Sequence, residues 1–256
     1  MQFNEISDLK RALALLKQVS RDIVYIYGEN DTNGLHLATI NKERTILLDM
    51  FLKKENSIDN KEKKETMNFS VKTGKIFYDV MDSVEKGSIV DFQFLNNDAQ
   101  IKISYDDIKL KSSLNSIPEK FIGFPPLDEK TVFKVSGEKM THALNLLCRF
   151  RNDLEVKIED NNLILESTNE QGSNKLVIPS NLSKKEKKKK IKSSIYDYEI
   201  IKPLVSASKL SKMIEINFYW NKKIKNNVII AKCTFNDDRG HAQYLFTPKG
   251  VFDEMS

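Results

Sequence analysis

Apolar residues recur at the spacing of an amphipathic helix in four segments of the chain. In the first segment, apolar residues fall at positions i, i+3, i+4, i+7 and i+10 counted from Leu9, which places them on one side of a helix. The four segments that this spacing predicts to be helical are 8–19, 71–82, 138–150 and 196–210.

Each predicted helix is followed by three short stretches of β-type composition, separated by turns rich in Asn, Asp, Gly and Lys. The first three helices begin roughly 64 residues apart and the fourth follows after roughly 60, which indicates four copies of one repeat. About twelve core strands result. Sequential strands with short turns favour antiparallel pairing, and one helix per three or four strands places the helices on one face of a sheet. The predicted class is α+β, with two repeats in each of two similar domains.

A domain boundary is predicted at 114–130, "LNSIPEKFIGFPPLDEK", which contains three prolines and one glycine and suits neither a helix nor a strand. We interpret it as a connector between an N-terminal domain, 1–113, and a C-terminal domain, 131–256. Apolar residues on such a connector either pack back on a domain or stay exposed and bind a partner. The residues expected to be exposed are Ile117, Phe121, Ile122 and Phe124.

Composition narrows the class of protein. The chain has 256 residues and 40% hydrophobic content, enough for a substantial core. Its N-terminus does not resemble a signal peptide, and no apolar run approaches the ~18 residues that span a bilayer, so an intracellular protein is expected. Cys148 and Cys233 lack metal-ligand spacing and are expected to be buried free thiols. No glycine-rich phosphate motif is found, which disfavours a nucleotide enzyme.

Cations occur on the polar side of every predicted helix. A single lysine-bearing face is typical of a solvated helix, but four equivalent faces in a repeat would converge on one concave lining if the helices face inward. Such a lining suits a polyanion. The residues are Lys10, Arg11, Lys17 and Arg21 on the first helix, Lys72 and Lys75 on the second, Lys139, His142 and Arg149 on the third, and Lys202 and Lys209 on the fourth.

The most basic stretch is 184–192, "KKEKKKKIK", with seven lysines and one glutamate in a chain whose net charge is +5. A run of like charge usually forms a solvated loop. It lies away from the predicted helix faces, so we assign it to a solvated loop, whose lysines would contact phosphates only if other parts of the protein bring nucleic acid to them.

Several stretches, taken in order along nearly the whole chain, resemble the ring-shaped DNA sliding clamps of the proliferating cell nuclear antigen (PCNA) type. The stretch 237–249, "DDRGHAQYLFTPK", is similar to the closing strand of that family, with Thr247 where the family has alanine. The stretch 34–52 resembles the segment after the family's first hairpin. "LNSIPEKF" and "FKVSGEKM" resemble the connector and the entry to the second domain.

The resemblance implies a non-catalytic processivity factor, without cofactor or metal, that closes head to tail as three subunits around duplex DNA. The neighbours would be copies of the chain or paralogues, paired through 102–111 of one subunit and 174–179 of the next. It implies sequence-independent DNA binding, and as partners DNA polymerase, a clamp loader and other replication and repair enzymes with a short clamp-binding peptide. It implies a location with DNA in the nucleoid or nucleus.

The resemblance also implies a groove that receives a short helical turn of such clients, with aromatic and aliphatic side chains. The residues carried over to this groove are Ile40, Arg44, Leu47, Leu114, Ile117, Leu245, Phe246, Thr247, Pro248 and Lys249. Arg44 departs from the smaller group or histidine common in the family.

Two other functions are compatible with the residues. A metal-dependent nuclease or hydrolase could use Asp237, Asp238 and His241, with Asp106 and Asp107 as further carboxylates. Acids also punctuate turns at strand ends, and no zinc-protease or serine-hydrolase motif accompanies them. A monomeric basic protein that coats nucleic acid is the third possibility.

Overall fold

The structure is a computed structural model, and its described residues are 2–3, 6–28, 34–53, 69–95, 98–114, 116–119, 121, 124, 132–147, 153–160, 162–169, 172–179, 191–221, 226–236 and 239–249. The helices are α1 (Ile6–Val19), α2 (Lys75–Asp82), α3 (Gly137–Leu147), α4 (Tyr198–Ile201) and α5 (Pro203–Lys209). The strands are β1 (Gln2–Phe3), β2 (Val24–Gly28), β3 (Gly34–Ile40), β4 (Ile46–Lys53), β5 (Phe69–Thr73), β6 (Ile89–Leu95), β7 (Asp98–Tyr105), β8 (Ile108–Ser113), β9 (Ile117–Pro118), β10 (Val132–Ser136), β11 (Leu154–Glu159), β12 (Asn162–Asn169), β13 (Gly172–Pro179), β14 (Ile191–Tyr196), β15 (Ser211–Asn221), β16 (Asn226–Phe235) and β17 (Gly240–Phe246).

The chain divides into two compact units. Unit 1 comprises 1–41 and 48–123, and unit 2 comprises 42–47 and 124–256. Each unit contains two repeats of the form strand, helix, three strands; β9 follows the second repeat, and the helix of the fourth repeat is divided into α4 and α5. Every strand pair whose register is described is antiparallel. The predicted α+β class with antiparallel strands is confirmed.

The two repeats of a unit exchange their first strands. In unit 1, β1 of the first repeat pairs with β6 of the second, and β5 of the second pairs with β2 of the first. In unit 2, β10 pairs with β15 and β14 pairs with β11 in the same reciprocal way. The resulting strand orders are β1-β6-β7-β8 and β4-β3-β2-β5-β9 in unit 1, and β13-β12-β11-β14 and β10-β15-β16-β17 in unit 2.

The helices cover these sheets with the apolar stripes that the sequence predicts. On α1, Leu9, Leu13 and Leu16 are buried, and each buried leucine side chain stabilises the fold by about 2 kcal/mol relative to an exposed one. On α3, Met140 and Leu144 are buried in the same manner. The helix-facing sides of the sheets form the core of each unit.

Two helix predictions need correction. The second helix was expected from 71, but 71–73 belongs to β5, and α2 starts at Lys75 after the extended Gly74. The fourth helix was expected to be continuous. It is divided into α4 and α5 because Pro203 has no N–H to donate. Asp197 caps α4 by accepting a hydrogen bond from the amide of Glu199.

The start of the predicted connector is attached to the sheet of unit 1 by a set of contacts that we call the connector anchor. Ser70 on β5 donates its hydroxyl hydrogen bond to the carbonyl of Glu119 at 2.6 Å and accepts one from the amide of Phe121 at 3.2 Å. The Phe121 ring is 8% exposed and stacks on Tyr27, with ring centroids 5.2 Å apart. Phe121 was expected to be exposed; instead it packs back on the domain.

The carboxylate of Glu119 completes the connector anchor. Its two oxygens accept hydrogen bonds from the Tyr25 hydroxyl and from the Lys72 ammonium, each at 3.0 Å. The hydrogen bond from Lys72 lowers the pKa of Glu119, with Tyr25 adding to the effect. The same hydrogen bond raises the pKa of Lys72.

Substitution of Gly137 tests the packing at the start of α3. A Cβ at this position would lie 1.8 Å from the carbonyl oxygen of Ser211 and 2.5 Å from that of Ser208, so backbone must move. We expect Gly137→Ala to lower the free energy of unfolding by about 3 kcal/mol, measured by urea denaturation. The matched control is Gly74→Ala before α2, where the nearest atom would be 3.5 Å away and the cost stays below about 1 kcal/mol. Equal losses would contradict this packing.

The connector anchor predicts a pH dependence. The depressed pKa of Glu119 stabilises the fold above the unfolded value of 4.5, and this contribution disappears as the pH falls below it. The raised pKa of Lys72 stabilises the fold below 10.5, and this contribution disappears as the pH rises further. Between these limits, we expect Glu119→Gln to melt at a lower temperature than the parent. The difference should close in acid, and a constant difference down to pH 3 would contradict the anchor.

Candidate nucleic-acid and partner surfaces

One exposed lysine lies on or at the end of a helix in every repeat, and the described residues contain no ion-pair partner for these four side chains. They are Lys10 on α1, Lys75 on α2, Lys139 on α3 and Lys209 on α5. An ammonium group without a carboxylate neighbour remains available to a phosphate.

Other predicted cations interact within the protein. Arg11 pairs with Asp8 at 3.2 Å, and Lys202, which lies between α4 and α5, pairs with Glu199 at 2.9 Å. Both pairs are exposed and therefore weak. Arg21 follows α1 and is exposed.

Lys17 differs from the other helix cations because it is partly buried. Its ammonium donates to Asp82 on α2 and lies 5.8 Å from the centre of the Tyr78 ring. Tyr78 is buried, its pKa is raised by that burial, and its hydroxyl donates to the carbonyl of Ser20 at 2.7 Å. Lys17 therefore joins α1 to α2 as well as adding positive charge.

The prediction for Lys72 is wrong as regards its element. It lies on β5 rather than on the second helix, and its ammonium is directed at Glu119 in the connector anchor. The alternation of Phe69, Val71 and Thr73 is the strand signal that sequence reasoning missed. Arg149 lies outside the described residues.

Unit 2 contains a groove of about 980 Å³ beside α3, α5 and β13. It brings together Lys139, His142 and Lys209 from the predicted set, together with Lys212, which the sequence analysis did not select. The apolar part of its lining runs along β13 from Leu176 to Pro179. The groove therefore has these cations and the carboxylate of Glu138 on the helix side, and it is apolar on the strand side.

The predicted client residues of unit 1 differ in exposure. Ile117 on β9 is 62% exposed and Ile40 at the end of β3 is half-buried. Leu114 is fully buried, and its carbonyl accepts a hydrogen bond from Thr73 at 2.8 Å. Leu114 therefore stabilises the connector start and presents no side-chain surface to a partner.

Side chains at the end of β17, in unit 2, alternate between buried and partly exposed positions. Phe246 is fully buried and stacks on Tyr244, with ring centroids 5.5 Å apart, and Pro248 is also buried. Leu245, on the opposite side of the strand, is half-buried, as is Leu47 on β4. The strand period explains why Phe246 belongs to the core although its neighbour is accessible.

The remaining client residues form a turn contact in unit 2. The amide of Thr247 donates to the carbonyl of Thr45 at 3.0 Å, next to Arg44, which is exposed and has a left-handed backbone with φ 55°. Lys249 is exposed, and its ammonium lies 2.7 Å from Asp153. These contacts fix the backbone and leave the Arg44 side chain accessible.

Four strands that end a described sheet have exposed apolar side chains: β8, β9 with Ile117, β13, and β14 with Ile195, which is 50% exposed. On β8, Ile108 is 70% and Leu110 is 45% exposed, and on β13, Val177 is 50% exposed. Exposed apolar side chains on an unpaired strand edge indicate a surface for another strand.

The described acidic residues that the sequence suggested for a metal site do not form one cluster. Asp106 and Asp107 form the turn between β7 and β8, where Asp106 has φ 47°, a conformation that aspartate tolerates in tight turns. They lie in unit 1, whereas His241 is on β17 in unit 2. Asp237 and Asp238 lie outside the described residues. Within the described ranges, no three potential metal ligands cluster.

The thiol of Cys233 on β16 is free and buried, as expected, and burial raises its pKa to about 12. Cys148 and 184–190 of the lysine-rich run fall outside the part of the chain that the structure describes. In that part, no helix is long and apolar enough to cross a membrane.

Comparison with known proteins gives a match in structure. No protein-family model matches the sequence, and no curated protein matches it. Among solved structures, the PCNA2–PCNA3 complex from Sulfolobus tokodaii superposes with a TM-score of 0.68 at 17% sequence identity, covering 97% of this chain and 98% of the matched chain. Because this match extends over 97% of the chain, the chain has the fold of the PCNA-type DNA sliding clamps.

Proposed function

We propose that this chain is a subunit of a DNA sliding clamp, a non-catalytic ring that encircles duplex DNA and tethers polymerase and other replication and repair enzymes. The observation that carries the proposal is the match over 97% of the chain to a PCNA subunit fold, combined with an exposed helix cation in each of the four repeats. The matched structure is a complex of two different PCNA chains, which supports assembly with related subunits.

The helix cations suit sequence-independent contact with DNA. Lys10, Lys75, Lys139 and Lys209 are separate, exposed point charges, and lysines of this kind contact phosphates without reading bases. Weak, diffuse contacts favour sliding, because tight ones would arrest the protein on DNA. Arg11 on α1, Arg21 after α1 and Lys202 between α4 and α5 are further exposed cations, of which Arg11 and Lys202 are in weak ion pairs.

Assembly would proceed through β8 of one subunit and β13 of the next. Both strands end their sheets and expose apolar side chains. Head-to-tail pairing of two different edges closes a ring when the rotation between subunits allows it, and closure then pairs both β8 and β13 in every subunit. We propose three subunits per ring.

Clients would contact the accessible members of the predicted set. Ile117 and Ile40 in unit 1, and Leu47 and Leu245 in unit 2, retain exposed surface. Aliphatic side chains of this kind receive the aromatic and aliphatic anchors of a short peptide. Leu114 and Phe246 are buried and would not contact a client directly.

Topology provides the test of the clamp. We expect the assembled protein to remain on closed circular DNA in high salt, because a ring around DNA does not depend on ionic contacts. It should be lost when the same DNA is linearised, because a ring slides off a free end. Gel filtration of protein–DNA mixtures measures both states. Equal loss from circular and linear DNA would reject encirclement, and DNA cleavage in the presence of Mg²⁺ would favour the hydrolase.

Charge reversal tests the DNA-facing lysines. Changing Lys10, Lys75 and Lys209 to Glu should reduce the slope of log binding constant against log salt by about 3, since each phosphate contact contributes roughly one unit. The control changes Lys42, Lys53 and Lys86, which are exposed outside the helices, to Glu and produces the same net charge. If the salt dependence of the binding constant falls by the same amount in both triple variants, DNA binding depends on the overall charge of the protein and not on the helix positions.

The client surface is tested at Ile117. Replacing this side chain, which is 62% exposed, by Ser should weaken binding of a fluorescent peptide with one aromatic and one aliphatic anchor by at least about tenfold. The fold should be unaffected, as checked by circular dichroism. Ile89→Ser on β6, at 38% exposed, is the control in the same unit. Equal peptide affinity in both variants would remove Ile117 from the client surface.

A further inference from the structure

The turn at 42–45, between β3 and β4, holds a bulky cation in a strained backbone conformation. Arg44 has φ 55°, in the left-handed region where a Cβ is unfavourable and where glycine and asparagine are at ease. Strain of this kind is concentrated at binding sites. The Arg44 side chain is therefore a candidate for a role that a smaller turn residue would not fill.

The guanidinium of Arg44 is available to a ligand. Its side chain is exposed, and within the part of the chain that the structure describes it has no carboxylate partner, the adjoining Glu43 included. Lys249 is also an exposed cation of the predicted client set, but its ammonium is paired with Asp153 at 2.7 Å. Arg44 is thus the cation of that set whose charge is not already matched.

Two hydrogen bonds attach this turn to the end of β17 in unit 2. The amide and the hydroxyl of Thr247 both donate to the carbonyl of Thr45, at 3.0 and 3.3 Å. Thr45 and Leu47 alternate with buried residues at the start of β4, as Leu245 and Thr247 do at the end of β17. Since Arg44 directly precedes Thr45, its charge lies at the margin of the surface to which the two half-buried leucines contribute.

A ligand at this margin would meet aliphatic side chains and one planar cation. A guanidinium binds a carboxylate or a phosphate through two parallel hydrogen bonds. Leu47 and Leu245 favour a peptide over a nucleic-acid backbone, because peptide side chains bury apolar surface against leucine and a phosphate backbone offers little to bury. The anion expected at Arg44 is therefore a carboxylate.

We infer that the preferred client peptides of this protein carry a carboxylate beside their aromatic and aliphatic anchors, and that Arg44 selects them by pairing with it. The inference rests on the proposed function in taking Leu47 and Leu245 as client surface, and it adds the charge of the client. Because the pair is exposed to solvent, it discriminates between clients more than it raises affinity.

The test compares two fluorescent peptides with the same aromatic and aliphatic anchors, one flanked on both sides by Glu and the other by Gln. The variants are R44E and R44N, with K86E as the matched control on an exposed lysine outside the turn. R44E and K86E both have a net charge of +3 in place of +5. Asparagine tolerates a positive φ, so R44N should melt no lower than the parent.

The measured quantity is the ratio of the two dissociation constants for each protein. We expect the parent and K86E to bind the Glu peptide about fivefold more tightly than the Gln peptide. R44N should bind the two equally, and R44E should prefer the Gln peptide. Salt near 1 M, where the Debye length is about 3 Å, should remove the preference of the parent.

Several outcomes would overturn the inference. Equal binding of both peptides by the parent, with Ile117→Ser still weakening both, would reject the acidic client and leave the client surface standing. The same loss of preference in R44E and K86E would assign it to the overall charge of the protein, and an undiminished preference in R44N would assign it to another cation.

Two further outcomes separate the inference from the proposed function. If neither peptide binds the parent, the client surface fails and the inference fails with it, while the comparison of circular with linear DNA still decides the clamp. If R44E lowers the salt slope of DNA binding by about one unit and leaves the peptide ratio unchanged, Arg44 contacts a phosphate and selects no client.

Discussion

The exchange of leading strands between repeats is the constraint on which the fold depends. A helix followed by three strands leaves one side of its sheet unpaired, and the strand that covers it comes from the other repeat of the same unit. Because the exchange is reciprocal, neither repeat completes its sheet without the other, and both helices of a unit must lie over sheets that the two repeats build together. The same exchange in both units gives each repeat an equivalent helix position, and each repeat has an exposed cation on or at the end of a helix.

Much of this architecture follows from sequence periodicity, and the failures have physical reasons. The helical spacing of Leu9, Leu13 and Leu16 is long enough to identify α1 without ambiguity. The leading strands were missed because they are short or polar: β14 is Ile-Lys-Ser-Ser-Ile-Tyr, and β5 continues into the turn before α2, so Lys72 was assigned to a helix. Their pairing partners are remote in sequence, and local patterns carry no information about remote pairing.

The candidate surfaces show the same division between local and tertiary information. Period-two alternation along β17 is sufficient to separate the buried Phe246 from the accessible Leu245, although resemblance alone grouped them. Phe121 is held by the connector anchor and Leu114 by the hydroxyl of Thr73, through hydrogen bonds that join residues 51 and 41 positions apart. No local pattern indicates such contacts. Positive charge is distributed unevenly as well: the exposed helix cations are spread over all four repeats, whereas Lys109 and Lys111 of β8 are concentrated at the edge of one sheet.

Strand exchange also has a consequence for the protein as it is synthesised. Phe3 pairs with Val90, so the N-terminal strand has no partner until the ribosome has made most of the first unit. At about 5–20 residues per second, this interval lasts roughly 5–18 s. During that time the apolar stripe of α1 can cover only an incomplete sheet, and long-range pairing of this kind forms slowly even when the partner is available. Nascent chains of this protein should therefore depend on chaperones until β6 has emerged, and pauses in translation before that point would be more harmful than pauses after it.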